Sequence, residues 1–261
     1  MSKDTTLFSD IQILSRGVYL QVGFEVKLLD DAVIRSNEPE EILSYSYEEL
    51  GNRFIIPWRK FKGKLRRLVM EQQRRFGIAQ KCCLKNNLCL KCPSCLLFGG
   101  TGETSTAKLP YNLLSRVLGE TLISKDELKD VKTYTANAVD EIDLTTGQAL
   151  MTILTVPAET EFIGIVTLRD PTPELTAILV DNLKRVARIG ASTREWGRCE
   201  VSVKGYRLSN REDISVYEII KIGWEEGSFK KFEELKLPSD IEKCYKDVNE
   251  EFNRVLENTL S

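Results

Sequence analysis

The 261-residue sequence contains no histidine, and this absence excludes several kinds of active site. A Ser-His-Asp triad and a Cys-His nucleophile pair both need an imidazole as the general base. A catalytic zinc centre with three His ligands, or with two His and one Glu, is excluded for the same reason. Any catalysis by this chain would therefore depend on carboxylates, Lys, Tyr, or a metal ion held by oxygen or sulfur.

Long apolar runs are also missing, because no stretch approaches the ~20 apolar residues that a membrane-spanning helix needs. The first ten residues, MSKDTTLFSD, lack the basic and then apolar layout of a secretory signal. We therefore expect a cytoplasmic protein with no membrane partner. In that reducing compartment, clustered cysteines favour a metal site over disulfides.

Charge is distributed unevenly along the chain. Residues 59–91 contain eleven Lys and Arg but one acid, Glu71, which gives this segment a charge of +10. Since the net charge is −2, the rest of the chain carries −12. Such an asymmetry is typical of a localised phosphate-binding surface on a soluble scaffold, and a solvated basic helix is the alternative.

Hydrophobic periodicity predicts the regular elements of the first half. Strict alternation in VYLQVGFEVKLL, residues 18–29, predicts a half-buried strand. An amphipathic helix is predicted after Pro57, with an apolar face that consists of Phe61, Leu65, Leu68 and Val69.

The second half of the chain predicts a mixture of strands and helices. Strands at 149–156 and 160–168 are separated by PAE, a hairpin-length connection. The remaining predictions are a helix at 173–190 that begins at Pro173 and ends at Gly190, a strand from Cys199, an additional strand at 215–224 and an amphipathic helix at 240–256.

Without residues 77–148, the order is strand–helix–strand–strand–helix–strand, which is the ferredoxin-like unit that also underlies the RNA-binding RRM modules. We therefore predict an α+β fold with an RRM-like palm formed by residues 1–76 and 149–261. The large insertion, residues 77–148, would carry a cysteine-rich zinc element at about 80–100 and a thumb-like protrusion at about 130–148.

Five of the seven cysteines lie between residues 80 and 100, namely Cys82, Cys83, Cys89, Cys92 and Cys95. The last three form two overlapping Cys-x-x-Cys steps, and Cys82 or Cys83 can supply a fourth thiolate. Four thiolates complete the tetrahedral coordination of a structural Zn²⁺, so we predict zinc held by four of the five, with no organic cofactor. An iron–sulfur or redox function and a metal-free cluster are the alternatives.

Two cationic segments are candidates for binding phosphate. At the start of the basic helix, backbone N–H groups and the positive end of the helix dipole accompany the cations. A second segment, RIGASTREWGRCEV, combines small residues with arginine in a turn before a strand. The candidate RNA-binding residues are Arg59, Lys60, Lys62, Lys64, Arg66, Arg67, Arg194 and Arg198.

Five motifs in order resemble one family, the RAMP-type backbone subunits of CRISPR RNA-guided interference complexes. These motifs are IPWRKFKGKLRRLV, CPSCLLFG, AVDEIDLTTGQAL, VPAETEFIGIVTL and NLKRVARIGASTREWGRCEV. The resemblance as a whole covers about residues 15–205. The segment LDDAVIRSNE after the first strand resembles the type I-D backbone subunit more than the type III subunits.

The resemblance implies a structural subunit of a ribonucleoprotein complex in antiviral defence. Several copies would polymerise along one guide crRNA beside other effector subunits, and each thumb would push between bases and kink the guide. The palm would bind the guide's phosphates without sequence specificity, through Lys60, Lys62, Lys64 and Arg66, with help from Arg194. Target DNA or RNA would be recognised by base pairing.

Two other functions stay open at the level of sequence. Type III backbone subunits carry a target-cleaving aspartate after the first strand, and Asp30 or Asp31 falls near that place. A metal-dependent endonuclease needs no histidine, so it is the main alternative, although no catalytic residue is assigned. A zinc adaptor that binds only protein is the third possibility.

Overall fold

The computed structural model describes residues 6–35, 43–85, 87–103, 108–128, 131–139 and 146–260. Its strands are β1 (Tyr19–Leu28), β2 (Ser44–Tyr47), β3 (Gly51–Ile56), β4 (Val117–Gly119), β5 (Leu122–Ser124), β6 (Lys132–Val139), β7 (Thr146–Thr155), β8 (Glu161–Arg169) and β9 (Cys199–Ser209). Its helices are α1 (Trp58–Arg75), α2 (Pro93–Phe98), α3 (Pro173–Lys184), α4 (Val216–Glu226) and α5 (Ile241–Leu260), with a 3₁₀ turn at Phe232–Leu235. The predicted α+β class is confirmed.

The main sheet has seven strands, six of them in the order β2-β3-β5-β8-β1-β9, with β4 also paired to β8. Strand β1 lies next to the edge strand β9 and pairs antiparallel with both β8 and β9. The strand predicted at residues 18–29 is confirmed, and β1 directs alternate side chains to the two faces of the sheet. It is not half-buried as predicted, because α4 covers the second face and Gln21 and Gly23 are buried there.

One face of the sheet packs against α1 and α3 and forms the main core. From β1, Val22, Phe24 and Val26 enter this core, and the Phe24 ring stacks on Phe61 of α1 with centroids 5.2 Å apart. The predicted apolar face of α1 is confirmed, since Phe61, Leu65, Leu68 and Val69 are all buried. Helix α5, predicted at 240–256, packs outside α3.

The other face of the sheet is covered by α4, so the strand predicted at 215–224 is wrong. Ser215 and Glu218 form a reciprocal capping box that begins α4, which is the Ser-x-x-Glu signature of a helix start. Val216 and Ile219 then pack on Ile163 and Ile165 of β8. Apolar periodicity alone did not distinguish the two states, and the cap decides between them.

The predicted hairpin between 149–156 and 160–168 is also wrong. Strand β7 pairs with β6 in a separate two-stranded sheet, whereas β8 pairs with β1, β4 and β5. Strands β4 and β5 come from within 77–148, so part of the predicted insertion contributes to the main sheet. The predicted thumb coincides partly with the β6–β7 hairpin, whose residues 140–145 lie outside the described residues.

Helix α3 ends at Lys184, six residues before the predicted end at Gly190. The backbone beyond it is used in a different way. Ile189 N–H donates to Gly197 O and Cys199 N–H donates to Ala187 O, so residues 187–189 pair with 197–199. This α3–β9 loop, residues 185–198, places small residues and arginines beside the segment that follows β1.

Within the described ranges, no helix is both long enough and apolar enough to span a membrane.

Candidate nucleic-acid interface and cysteine site

A cleft of about 470 Å³ opens between the N-terminal half of α1, the segment after β1 and the α3–β9 loop. Six cationic side chains line this cationic cleft: Arg35, Arg59, Lys60, Lys64, Arg67 and Arg188. No Asp or Glu among the described residues lines it. The cleft therefore concentrates positive charge on a concave surface, where low-dielectric walls strengthen the local field.

Four of the eight predicted RNA-binding residues line the cleft, and four do not. Arg59, Lys60, Lys64 and Arg67 share one side of α1 with Gly63, and we call these five residues the cleft-facing stripe. Two lining arginines were not predicted. Arg188 belongs to the quoted RIGASTREW turn and Arg35 to LDDAVIRSNE, so both lay in motifs whose backbone course the sequence did not reveal.

Lys62 and Arg66 do not face the cleft. They point toward the cysteine element, which we define as residues 80–100, and toward the segment that follows it. The Lys62 ammonium donates to Ser115 Oγ at 2.9 Å, and Arg66 Nη2 donates to Gly99 O at 2.8 Å. The Arg66 guanidinium also lies over the Phe98 ring, 6.0 Å from its centroid. Both cations thus have protein partners outside the cleft.

Arg194 and Arg198 are exposed on the α3–β9 loop but do not line the cleft. The Arg198 backbone N–H donates to Asp30 Oδ1 at 2.6 Å, and its carbonyl accepts from Leu29 N–H at 2.8 Å. The main chain of Arg198 therefore fixes the loop to the end of β1, while its side chain stays in solvent.

Crowding and burial both lower the pKa of two lysines of α1, Lys60 and Lys62. Burial lowers the pKa of Lys60, and the adjacent Arg59 cation lowers it further. Burial and the Arg66 cation lower the pKa of Lys62 in the same way. Both effects disfavour the charged form, and an anion in the cleft would relieve the repulsion among its cations.

The backbone of α1 adds to this positive field. Pro57 occupies the N-cap without a side-chain hydrogen bond, and the first turn contains no acid, so the positive end of the helix dipole is not neutralised locally. Gly63 lies one turn further on, and a Cβ there would meet no atom within 4 Å. The protein's own packing therefore does not require glycine at this position.

Gly190 sets how closely the loop approaches the segment after β1. Its φ is +89°, and a Cβ would lie 2.6 Å from Val33 O. Ala191 N–H donates to Val33 O at 2.8 Å, which closes this side of the cleft. Only glycine combines the left-handed backbone with that close approach.

Asp31, one of the two aspartates considered for catalysis, is buried and fully engaged. Its Oδ1 accepts from Lys132 Nζ at 3.0 Å and from Ala158 N–H at 2.8 Å, and its Oδ2 accepts from Tyr134 O–H at 2.6 Å. Burial alone would raise the pKa of Asp31, but these hydrogen bonds outweigh it and lower the pKa below the usual 3.8. Asp31 thus attaches the base of the β6–β7 hairpin to the end of β1.

Four of the five clustered cysteines converge on one point. The sulfur atoms of Cys82, Cys89, Cys92 and Cys95, the cysteine site, all lie within 4.8 Å of one another. Cys82 Sγ is 3.7 Å from Cys95 Sγ and 3.8 Å from Cys92 Sγ. A tetrahedral zinc with Zn–S bonds of about 2.3 Å separates its sulfurs by about 3.8 Å, so the donor set fits zinc.

Cys83 is the cysteine that does not join this group. Its side chain is exposed, and its backbone pairs with Asn87. Among the four converging thiols, contacts with Cys82 raise the pKa of Cys92 and lower the pKa of Cys89. Four adjacent thiolates would repel one another, and a divalent cation at their centre would remove that repulsion. In the described part of the chain, no other group of three or more Cys, Asp or Glu converges in this way.

Comparison with known proteins agrees with this geometry. The family model described as Csc2 CRISPR matches residues 45–260. The crystal structure of Thermofilum pendens Csc2 has a TM-score of 0.58 at 17% identity, covering 93% of this chain and 82% of that chain. A chain of a type IV-B CRISPR complex has a TM-score of 0.53 at 14% identity, covering 70% and 90%. No curated protein matches the chain in sequence.

The fold and the family match together define the class as CRISPR proteins. Within that class, the chain belongs to the Csc2 CRISPR family. The expected resemblance to a CRISPR family is therefore confirmed.

The Asp31 contacts predict a pH-dependent loss of stability on substitution. Asp31→Asn should lower the free energy of unfolding at pH 7 by about 2 kcal/mol, because it weakens buried hydrogen bonds to a charged acceptor. A carboxylate whose pKa is lowered by folding stabilises the protein above its unfolded pKa, and this contribution is lost as the pH falls through the folded pKa. The difference between parent and variant should thus be full above about pH 5 and shrink below 3.8.

Asp30→Asn is the matched control, because Asn can still accept the Arg198 N–H, and its effect should stay within about 0.5 kcal/mol. Urea unfolding of both variants at several pH values measures the difference. Equal losses in the two variants, or a difference that does not change with pH, would contradict this account of Asp31.

Proposed function

We propose that this chain is a non-catalytic backbone subunit of a CRISPR RNA-guided effector complex. It binds the guide crRNA through its phosphates, without sequence specificity, and polymerises along it beside other effector subunits. The bound guide is then presented for base pairing with target DNA or RNA in antiviral defence. The observation that carries the proposal is the cationic cleft, with six cations and no acid lining it among the described residues.

The strand order supports a ferredoxin-like palm. Strands β9, β1, β8 and β5 follow one another in the sheet. Along the chain, α1 lies between β1 and β5, together with shorter elements, and α3 lies between β8 and β9. This corresponds to the split βαβ arrangement. We propose that the cysteine element and the β6–β7 hairpin are two excursions from this palm and that the hairpin is the thumb.

RNA is proposed to bind at the cleft and not on the open sheet face that RRM modules use. That face is occupied here. A Cβ on Gly23 of β1 would lie 2.4 Å from the Trp224 ring of α4, and Trp224 Nε1 donates to Glu25 at 2.7 Å. Bases therefore cannot stack there without displacing α4, which favours recognition of the backbone over recognition of bases.

We propose that the six cations lining the cleft hold phosphates, namely Arg35, Arg59, Lys60, Lys64, Arg67 and Arg188. Arg194 and Arg198 are exposed on the same loop and are proposed as outer contacts to the guide. Lys62 and Arg66 contribute to the field, but their hydrogen bonds to Ser115 and Gly99 make them positioning residues. The proposed setting is a type I-D complex in the cytoplasm, supported by the resemblance of LDDAVIRSNE.

The nuclease alternative has no observation in its favour. Both carboxylate oxygens of Asp31 accept hydrogen bonds from protein donors, and one oxygen of Asp30 accepts from the Arg198 backbone. Neither residue joins a group of three or more potential metal ligands among the described residues.

We also propose that the cysteine site holds one structural Zn²⁺. The ligands would be Cys82, Cys89, Cys92 and Cys95, which close a tetrahedral shell and leave no open position for catalysis. Helix α2 carries Cys95 and buries Leu96, Leu97 and Phe98 in the main core. The metal would therefore fix the cysteine element against α1.

Neutralising the cleft should abolish most RNA binding. In the triple variant Arg59→Gln, Lys64→Gln, Arg67→Gln, we expect affinity for single-stranded RNA to fall about 100-fold at physiological salt. The slope of log affinity against log salt should also decrease by about 2, because each lost phosphate contact removes ~0.7. Fluorescence anisotropy over a salt series measures both.

The matched control removes three exposed lysines of the same basic segment, Lys81→Gln, Lys85→Gln and Lys91→Gln, and thus makes the same charge change. It should lose no more than about threefold in affinity, because unpaired surface charges act weakly at this salt. If both triple variants bind equally, the charge of the segment matters and the cleft does not.

Zinc content should distinguish Cys82, a proposed metal ligand, from the adjacent Cys83, which is not one. The parent protein should contain about one zinc per chain, as a single four-cysteine site requires. Cys82→Ser should lose the metal and unfold at lower temperature, since metal binding energy is also folding energy. Cys83→Ser should keep both metal and stability. Elemental analysis together with thermal unfolding measures this, and equal zinc in the two variants would disprove the ligand assignment.

A further inference from the structure

Helix α1 carries the cleft-facing stripe and is also attached along its length to the cysteine element. The attachments start at Arg66, whose partner is Gly99, and Lys62 binds Ser115 in the segment that follows the element. Further along, Met70 is buried in the same small core as Cys82, Cys92 and Cys95, and Arg74 Nη1 donates to Cys82 O at 2.9 Å. One side of the helix therefore depends on the cysteine element for its position.

Gln73 makes the most direct of these contacts. Its side chain is 0% exposed, its Nε2 donates to Cys92 Sγ at 3.3 Å, and its Oε1 accepts from Ser94 N–H at 3.1 Å. Both ends of one amide thus bind the turn that presents a candidate ligand. A buried polar group is costly unless it is paired, so the turn and the helix hold each other in one geometry.

A donor of this kind has a defined effect on a metal ligand. Groups that hydrogen-bond to a ligand from outside the coordination shell orient it and tune its donor strength, and their loss typically costs 10–100-fold in metal affinity. Gln73 belongs to α1 and not to the cysteine element. The same side chain therefore links a candidate metal ligand, Cys92, to the helix that lines the cationic cleft.

We propose that Gln73 is a positioning residue that couples the cysteine site to the cationic cleft, so that zinc and RNA each strengthen the binding of the other. This inference rests on the proposed function. Coupling between two sites is reciprocal in affinity. If bound zinc holds α1 in the geometry that favours RNA, then bound RNA must raise the affinity for zinc by the same factor.

A neighbouring residue provides a matched control. Gln72 is also a buried glutamine of α1, but it faces away from the cysteines. Its Oε1 accepts from Asn182 at 2.7 Å and from Tyr245 at 3.0 Å, and its Nε2 donates to Asp181 at 2.8 Å. Replacing either glutamine by Met preserves approximate size and removes buried hydrogen bonds, but only Gln73→Met removes the bond to Cys92.

The experiment measures the zinc dissociation constant of the full chain by competition with a chromophoric chelator, with and without saturating single-stranded RNA. In the parent, RNA should tighten zinc binding by about tenfold, within the usual range of coupling. Gln73→Met should bind zinc at least tenfold more weakly and lose most of the RNA effect. Gln72→Met should retain the zinc affinity of the parent and the effect of RNA on it, even if its stability is lower.

Cobalt(II) substitution adds a signature that a loss of stability does not produce. Removing an N–H donor from a ligating thiolate should shift the thiolate-to-cobalt charge-transfer band in Gln73→Met and leave it unchanged in Gln72→Met. If Gln73→Met does not fold, Gln73→Asn keeps a buried amide without adding a charge and draws its N–H group back from Cys92 by one methylene, so it serves the same test.

The outcomes separate this inference from the proposed function. Two results would overturn the coupling and leave RNA binding intact. In the first, the parent binds RNA but has the same zinc affinity with and without RNA. In the second, the Gln73→Met and Gln72→Met variants have equal zinc affinity. A zinc-loaded parent that does not bind RNA overturns the proposed function and the coupling with it.

Discussion

Repulsion among like charges is the constraint on which the rest of this structure depends. Cations from three separate chain segments face one concave surface, and no carboxylate among the described residues balances them there. The cost is tolerable in water because solvent and salt screen exposed charges. A polyanion that enters the cleft displaces condensed counterions from itself and replaces repulsion by attraction. The phosphates of a nucleic acid carry the negative charge for this attraction, and its bases do not.

The fold explains why the charges meet at this place. Strand β1 ends at Leu28, and the segment after it passes between α1 and the α3–β9 loop. Asp31 holds this segment from the hairpin side, while Val33 pairs with Ala191 on the loop side. The three cationic segments come from different parts of the chain, and the pairing of β1 with β9 brings the segment after β1 beside the α3–β9 loop.

Helix α1 combines three tasks on three sides. One side is apolar and packs on the sheet, one carries the cleft-facing stripe, and one is attached to the cysteine element. This arrangement explains why a helix with so many cations is stable. Lys62, Arg66 and Arg74 donate hydrogen bonds to the protein, so part of the positive charge is used to position the remainder.

Sequence patterns were sufficient where a single element determined the outcome. The alternation in β1, the apolar face of α1 and the clustering of cysteines needed only local periodicity and spacing. Sequence patterns failed where contacts outside the element determined its partner or its type. Strand β7 pairs with β6 and not with β8, and the 215–224 segment is a helix that begins at a capping box. Sequence also did not reveal that Lys62 and Arg66 leave the cleft or that Arg35 and Arg188 enter it, because rotation about a helix axis and the course of a loop are three-dimensional properties.

The most direct test of the central claim uses Gly63, at the cationic cleft, in the variant Gly63→Leu. The measurement is its RNA dissociation constant beside its free energy of unfolding, in one preparation. Because a Cβ at this position meets no protein atom within 4 Å and Leu is a better helix former than Gly by ~0.8 kcal/mol, stability should rise or stay equal. If the guide binds as proposed, RNA affinity should fall at least about tenfold, since the new side chain would occupy space that the sugar-phosphate chain needs to approach the helix. A stabilised variant that binds RNA as tightly as the parent would show that the guide lies elsewhere.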